Sequence, residues 1–331
     1  MTAPYWKAGA GLGAVSAVVV VLLLMPFWLT QFQLFLLVRV AILALFAMGF
    51  NLLFGYGGLL SFGHAAFYSA GAYTAGLILK AYPSLLVGVA GGVAMAALLG
   101  FGVGFFSVRH IDVYFSMLTL AFGMFVYSIV WKWDAVTGGD NGLIGVPRAP
   151  LAMIGFKHGL NMMPIERYYE FTVVLSVVVV WALYRLVRSP FGLMLQGIRE
   201  NAERVEFAGV PMRRYRLAAF IISAAVAGLA GSLVGPLENT VGPDTAHWAT
   251  SAEPLLAALL GGAASFGGPL VGAFLIVGIR ELVERYTQYW LLAMGGVMLV
   301  LVLGFRGGVT GTVLALARRV APGRRGGEAA R

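Results

Sequence analysis

Arg188-SPFGLMLQGIRENAERVEFAGVPMRRY-Arg216 is the one long polar stretch in a chain otherwise built for lipid, and the layout of the rest follows from it. Ser189 is placed to N-cap a helix, Pro190 suits the first helical position, and Gly209 followed by Pro211 supplies a stop. Between them Phe191, Leu195, Ile198, Ala202 and Val205 recur at steps of four and three, which predicts one amphipathic helix with a single apolar stripe. Arg199, Glu200, Glu203, Arg204 and Glu206 fall off that stripe, with Glu200 and Arg204 spaced as a favourable i,i+4 pair. Such a helix turns one face to protein or lipid and the other to water. The residues allow two readings, a solvated connector on the membrane surface or a docking element for a soluble partner.

The chain as a whole is 60% hydrophobic and 11% charged, with a mean hydropathy of +0.87. No soluble domain can hide that much apolar surface, so the fold class is an all-α polytopic membrane protein. Its length allows roughly eight to ten transmembrane helices at about 20 residues each. The apolar runs are Leu12–Leu29, Leu34–Phe54, Leu86–Phe106, Val113–Trp131, Tyr169–Leu186, Leu217–Val234 and Tyr289–Phe305. MTAPYWKAGAG precedes a first run too long for a signal-peptide core and without a small-x-small site, which predicts a retained first helix. The net charge of +9 lies in loops beside these runs, where it reports topology and does not point to nucleic acid. The absence of cysteine excludes disulfides, thiolate zinc sites and thiol catalysis. No GxxxxGK[ST] occurs, and no metal-ligand spacing or nucleophile–base arrangement is present, so the chain is expected to be no enzyme and to carry no metal or cofactor.

Residues 188–216 hold six arginines against three glutamates, and the tail 306–331 holds six against one. Both are assigned to the cytoplasm, and six crossings ahead of the connector put the N-terminus there too. The expected layout is a single transmembrane domain with N-terminal helices over 12–187, the connector, C-terminal helices over 217–305 and a basic tail. Residues 132–168 form the one sizeable external loop. Within it Thr137-GGDNGLIGV-Pro147 is turn-rich, and Gly138, Gly139, Asp140 and Asn141 permit tight left-handed backbone.

Two further apolar regions, Gly57–Leu79 and Pro254–Ile279, are broken by glycine and polar residues, and each either crosses or re-enters. They echo one another. Ser61-Phe62-Gly63 and Ser265-Phe266-Gly267 are each followed by a Gly-Ala-aromatic step, at Gly71–Tyr73 and Gly272–Phe274. Interrupted hydrophobic segments in corresponding halves point to a transport pathway, and tight packing is the alternative. His64 is read as a hydrogen-bonded structural histidine, with a proton relay as the alternative. Thr250-Ser-Ala-Glu253 fits a capping box, with the Glu253 carboxylate facing a pathway as the alternative. Arg39 can snorkel from the start of its helix, and Arg280, Glu281, Glu284 and Arg285 mark a membrane–water boundary. The glycines at 88, 91, 92, 100, 102, 104, 228 and 231 predict close helix packing.

Several of these motifs together resemble the inner-membrane permease subunits of branched-chain amino-acid ABC importers, the LivM-like type. They are Asn51-LLFGYGGLLSFGHAAFYSAGAYTA-Gly76, Tyr114-FSMLTLAFGM-Phe125, Thr137–Pro147, Arg188–Leu233 and the GGxxSxxGPxxGA pattern beginning at Gly261. The similarity covers roughly residues 35 to 305 in the expected order, and Leu193 stands where the family often has a basic residue. The resemblance implies an ABC importer permease architecture in a bacterial inner membrane. It implies a second homologous permease subunit, two cytoplasmic ABC ATPases, an external solute-binding protein and import of branched-chain or related amino acids. It further implies coupling to the ATPase through Ser189, Pro190, Arg199, Glu200, Asn201, Glu203, Arg204 and Gly209. A substrate pathway would run along Ser61, Phe62, Gly63, His64, Ser265, Phe266 and Gly267, and the binding protein would contact Gly138, Gly139, Asp140 and Asn141. The competing class is an ion-coupled secondary transporter or channel acting without an ATPase. Purification from native membranes separates the two: an importer permease is expected to come out with a P-loop ATPase, a lone transporter without one.

Overall fold

The computed structural model describes residues 19–151, 160–286 and 308–311, and positions 289, 292, 295, 296 and 299 between them. The start of the Leu12–Leu29 run, most of Tyr289–Phe305 and nearly all of the basic tail lie outside the described residues. The fold is all-α. Its helices are α1 (Gln31–Asn51), α2 (His64–Ala81), α3 (Leu85–Ser107), α4 (Asp112–Lys132) and α5 (Ile165–Val187). They are followed by α6 (Pro190–Glu200), α7 (Ala202–Phe207), α8 (Met212–Glu238), α9 (Trp248–Gly261) and α10 (Gly268–Glu284). Among the described residues α1, α3, α4, α5 and α8 are long and apolar enough to cross a membrane. α1 begins with a full capping box, in which Thr30 Oγ1 accepts from the Gln33 amide and Gln33 Oε1 accepts from the Thr30 amide.

α1 runs toward the connector end of the bundle and finishes in a π-helical turn, Leu52–Tyr56. Residues 57–63 then rise along α4, where Ser116 Oγ donates to the Leu60 carbonyl at 2.7 Å. α2 continues to the opposite, loop end, where Lys80 Nζ donates to the Ile144 carbonyl at 3.0 Å. The first broken segment therefore runs from the connector end of the bundle to the loop end. The second is a hairpin: α9 comes down, residues 262–267 turn beside Asn51, and α10 returns toward the loop end. At a rise of 1.5 Å per residue its arms are about 21 and 26 Å long, short of a full 30 Å slab.

α8 lies at the centre, packed on α1, α2 and α3. Lipid offers no hydrophobic drive for helices to associate, so close backbone approach and hydrogen bonds must supply it. A Cβ at Gly71 would stand 2.1 Å from the Gly228 carbonyl oxygen, one at Gly231 1.9 Å from that of Tyr68, and one at Gly92 2.2 Å from Ser232 Oγ. Gly102 departs from the expectation, facing open space.

At the loop end two short strands, β1 (Leu143–Ile144) and β2 (Thr240–Val241), pair antiparallel with Leu143 opposite Val241. The chain leaves α8 through Asn239 in the left-handed region, and the Asn239 carbonyl accepts from the Gly145 and Val146 amides. Arg148 completes this end by donating to the Pro236 and Leu237 carbonyls at 2.8 and 2.9 Å. Replacing Gly231 by valine is expected to cost about 1–3 kcal/mol through overpacking. Thermal unfolding in detergent measures that loss, and Gly102→Val is the neutral control.

Candidate functional site

The connector departs from the single helix expected. Asn201 has φ −156° and ψ 93°, which ends α6, and its side-chain oxygen accepts from the Arg204 amide at 2.9 Å to start α7. Asparagine competes for backbone hydrogen bonds inside a helix and satisfies orphan amides at an N-cap, so the break falls on it. The stripe accordingly stops at the break: Leu195 and Ile198 are buried, while Ala202 and Val205 are only half-buried. Glu200 and Arg204 sit on different helices and are no longer an i,i+4 pair. Ser189 occupies the N-cap position, but its hydroxyl donates back to the Leu186 carbonyl at 2.6 Å and caps nothing ahead.

Arg199 stays exposed, as its place off the apolar stripe predicts, yet it also reaches back to the bundle. Its guanidinium donates to the Gly55 carbonyl at the end of the π-helical turn. Its stem lies on Gly58, which has φ +70° and where a Cβ would come within 2.9 Å of Arg199 Cγ. Gly58 thus serves both a left-handed turn and a close approach. The far side of α7 presents Glu203, Arg204 and Glu206, with Phe207 91% exposed just before Gly209 at φ +78°. Phe207 was missed because it lies off the apolar stripe.

The two Ser-Phe-Gly sequences occupy equivalent places, with Gly63 and Gly267 at the N-caps of α2 and α10. Their surroundings differ. Ser61 is fully buried, its hydroxyl without a partner among the described residues, and Phe62 is half-buried. Gly63 is pressed against the Thr119 backbone. His64 is fully buried among the edges of Phe50, Phe67 and Phe220. Ser223 Oγ spends its one proton on the Gly49 carbonyl at 2.6 Å, so at the 2.7 Å contact His64 Nε2 must donate to it. Among the described residues Nδ1 has no partner. Ser265 bonds Thr310 Oγ1 at 2.8 Å, and the Phe266 ring meets Tyr184 edge-on at 5.3 Å. The two breaks are joined through Asn51, whose Nδ2 donates to the Ala263 carbonyl at 3.3 Å.

The capping box read at Thr250–Glu253 does not form. α9 starts at Trp248, where His247 Nδ1 accepts from the Ala249 amide, and Thr250 Oγ1 donates to the Asp244 carbonyl. Glu253 instead reaches Arg280 at 3.6 Å, and Arg280 bonds Glu284 at 2.8 Å. Arg39 pairs with Glu238 at 2.7 Å. In the loop between α4 and α5 Gly138 and Gly139 take the left-handed backbone, and a Cβ at Gly139 would fall 1.7 Å from Asp134 Oδ1. Asp140 and Asn141 do not share that backbone; they sit exposed in a 3-10 turn.

A family model described as branched-chain amino acid transport system / permease component matches residues 32–303. The high-affinity branched-chain amino acid transport system permease protein LivM of Escherichia coli is 31% identical over 307 residues, 87% of this chain and 72% of that one. The corresponding LivH of the same organism is 24% identical, over 72% of this chain and 80% of its own. A probable LivM of Methanocaldococcus jannaschii is 25% identical over 75% of this chain and 80% of its own. No solved structure matches.

The histidine relay is open to direct test. Ser223→Ala leaves the His64 Nε2–H buried without an acceptor and is expected to cost about 1–3 kcal/mol. Denaturation in detergent measures the loss, and ¹⁵N spectra of the wild-type ring are expected to show the proton on Nε2.

Proposed function

The chain belongs to the branched-chain amino acid transport system / permease component family, and on that premise we propose how this permease subunit of an ABC importer works. It pairs with a second homologous permease in a bacterial inner membrane. Two cytoplasmic ATPases bind at the connector end, and an external binding protein delivers branched-chain or related amino acids at the loop end. The chain acts as one transmembrane domain, with residues 12–187 and 217–305 as its helices and 188–216 as the coupling loop. Both termini and the basic tail 306–331 are cytoplasmic, in keeping with the arginine-rich connector.

The observation that carries the reading is the grip of Arg199 on Gly55. A helix that only floated on the membrane surface would have no reason to hold the backbone of a broken transmembrane segment. Here α6 is seated on the π-helical turn by a charge-assisted hydrogen bond, a contact of roughly 1.5–3 kcal/mol. The same turn touches the second break at Ala263. α7 turns Glu203, Arg204, Glu206 and Phe207 away from the bundle, a charged rim around one exposed aromatic suited to a cleft in a soluble partner. When ATP draws the partners together, α6 and α7 move as a short lever. Arg199 passes the displacement to the Ser61–His64 and Ser265–Gly267 breaks, and access alternates. Gly138, Gly139, Asp140 and Asn141 present the far end to the binding protein, and the chain itself catalyses nothing.

Replacing Arg199 by alanine is expected to leave the ATPase bound while uptake per ATP hydrolysed falls about tenfold, the equivalent of 1.4 kcal/mol of lost coupling. Replacing Glu200 and Gly209 together is expected to abolish uptake with membrane insertion intact. Normal transport in the double variant, or solute moved by the purified chain alone on an ion gradient, overturns the reading.

A further inference from the structure

The coupling account leaves one group of side chains unused. Arg39 on α1, Glu238 at the end of α8, Glu253 on α9, and Arg280 and Glu284 on α10 form one charged seam. The Arg39–Glu238 pair and the Arg280–Glu253 and Arg280–Glu284 pairs face one region, with Glu253 within electrostatic reach of Arg39 and Glu238 as well as of Arg280. Tyr68 of α2 lies in the same field, sensing Glu253, Glu238 and Arg39. All five charged side chains remain between 34% and 39% exposed. Arg39 lies about 12 Å along α1 from Gln31 and Arg280 about 18 Å along α10 from the turn, so the seam runs from the loop-end half of the bundle to the helix ends at Glu238 and Glu284. A face with five partly exposed charges cannot lie against acyl chains.

We propose that this seam is the recognition site for the charged ends of an α-amino acid zwitterion entering the permease, an inference that rests on the function proposed above. The seam carries both signs, and its charges are already paired with one another. A ligand bringing one ammonium and one carboxylate can therefore exchange into the Arg280–Glu253 pair without stranding a charge: the ammonium takes Glu253 and the carboxylate takes Arg280. The loop end is where substrate arrives. Tyr68 and Arg280 stand on the two helices that follow the Ser-Phe-Gly breaks, so a lever acting on those breaks also moves the seam.

The chain contains no cysteine, so single replacements report access directly. In the complete complex in proteoliposomes, Glu253→Cys is expected to react with an impermeant cationic methanethiosulfonate added from the loop side. Phe101→Cys, on the outward face of α3, is not. The charge-reversed pair Glu253→Arg with Arg280→Glu keeps an ion pair in place but inverts its polarity. It is expected to retain stimulated ATPase activity while leucine uptake per ATP falls at least about tenfold. Wild-type uptake by the reversed pair would make the contact purely structural and overturn the proposal. So would an unreactive Glu253→Cys in the assembled complex, which would mean the second permease seals the seam. A wild-type complex that imports no amino acid overturns the underlying function as well, and is recognised by failing before any variant is compared.

Discussion

A hydrocarbon slab offers no hydrogen-bond partner to exposed backbone, and this chain interrupts its helices inside one. Every break must therefore be repaired by groups brought from elsewhere in the bundle. Around the first break Arg199 serves the Gly55 carbonyl, Ser116 serves that of Leu60, and Ser251 accepts from the Ala65 amide at 2.8 Å. Around the second, Asn51 serves Ala263 and Thr310 serves Gly261. The repairs come from α1, α4, α6 and α9 and from beyond α10, so neither broken segment can shift without its neighbours. A break that merely packed could be patched locally; these are tied across the molecule.

That constraint explains why small residues crowd the centre. α8 can carry Ser223 to His64 and Ser232 to the Gly71 carbonyl only if it approaches α2 backbone to backbone. Glycine at 71, 228 and 231 permits the approach, and the hydrogen bonds then hold it. The same economy appears at the connector. A longer side chain at position 58 would displace Arg199, and without Arg199 the π-helical turn would end on an unserved carbonyl.

Much of this was legible beforehand. The described apolar runs, the two glycine-broken segments, the helix stop at Gly209 and the tight turn at Gly138–Gly139 appear where composition and spacing put them. The misreadings share a cause. The local pattern predicts helix through Asn201 and a capping box at Thr250–Glu253. In each case a local pattern competed with a partner distant in sequence or with a better cap nearby. His247 two residues ahead of Ala249 displaced the box, and that freed Glu253 for Arg280.

By itself the sequence determined that the chain is a bundle of membrane helices, where most of those helices lie, and that its basic connector stands apart from them. Those properties are additive over neighbouring residues, since twenty apolar side chains span a bilayer whatever they touch. Only the tertiary structure decided where each polar side chain in the bundle is spent. Arg199 meets Gly55, and Arg39 meets Glu238, across separations of 144 and 199 residues. No local rule records which helices will lie side by side, and in lipid that adjacency selects the hydrogen-bond partner.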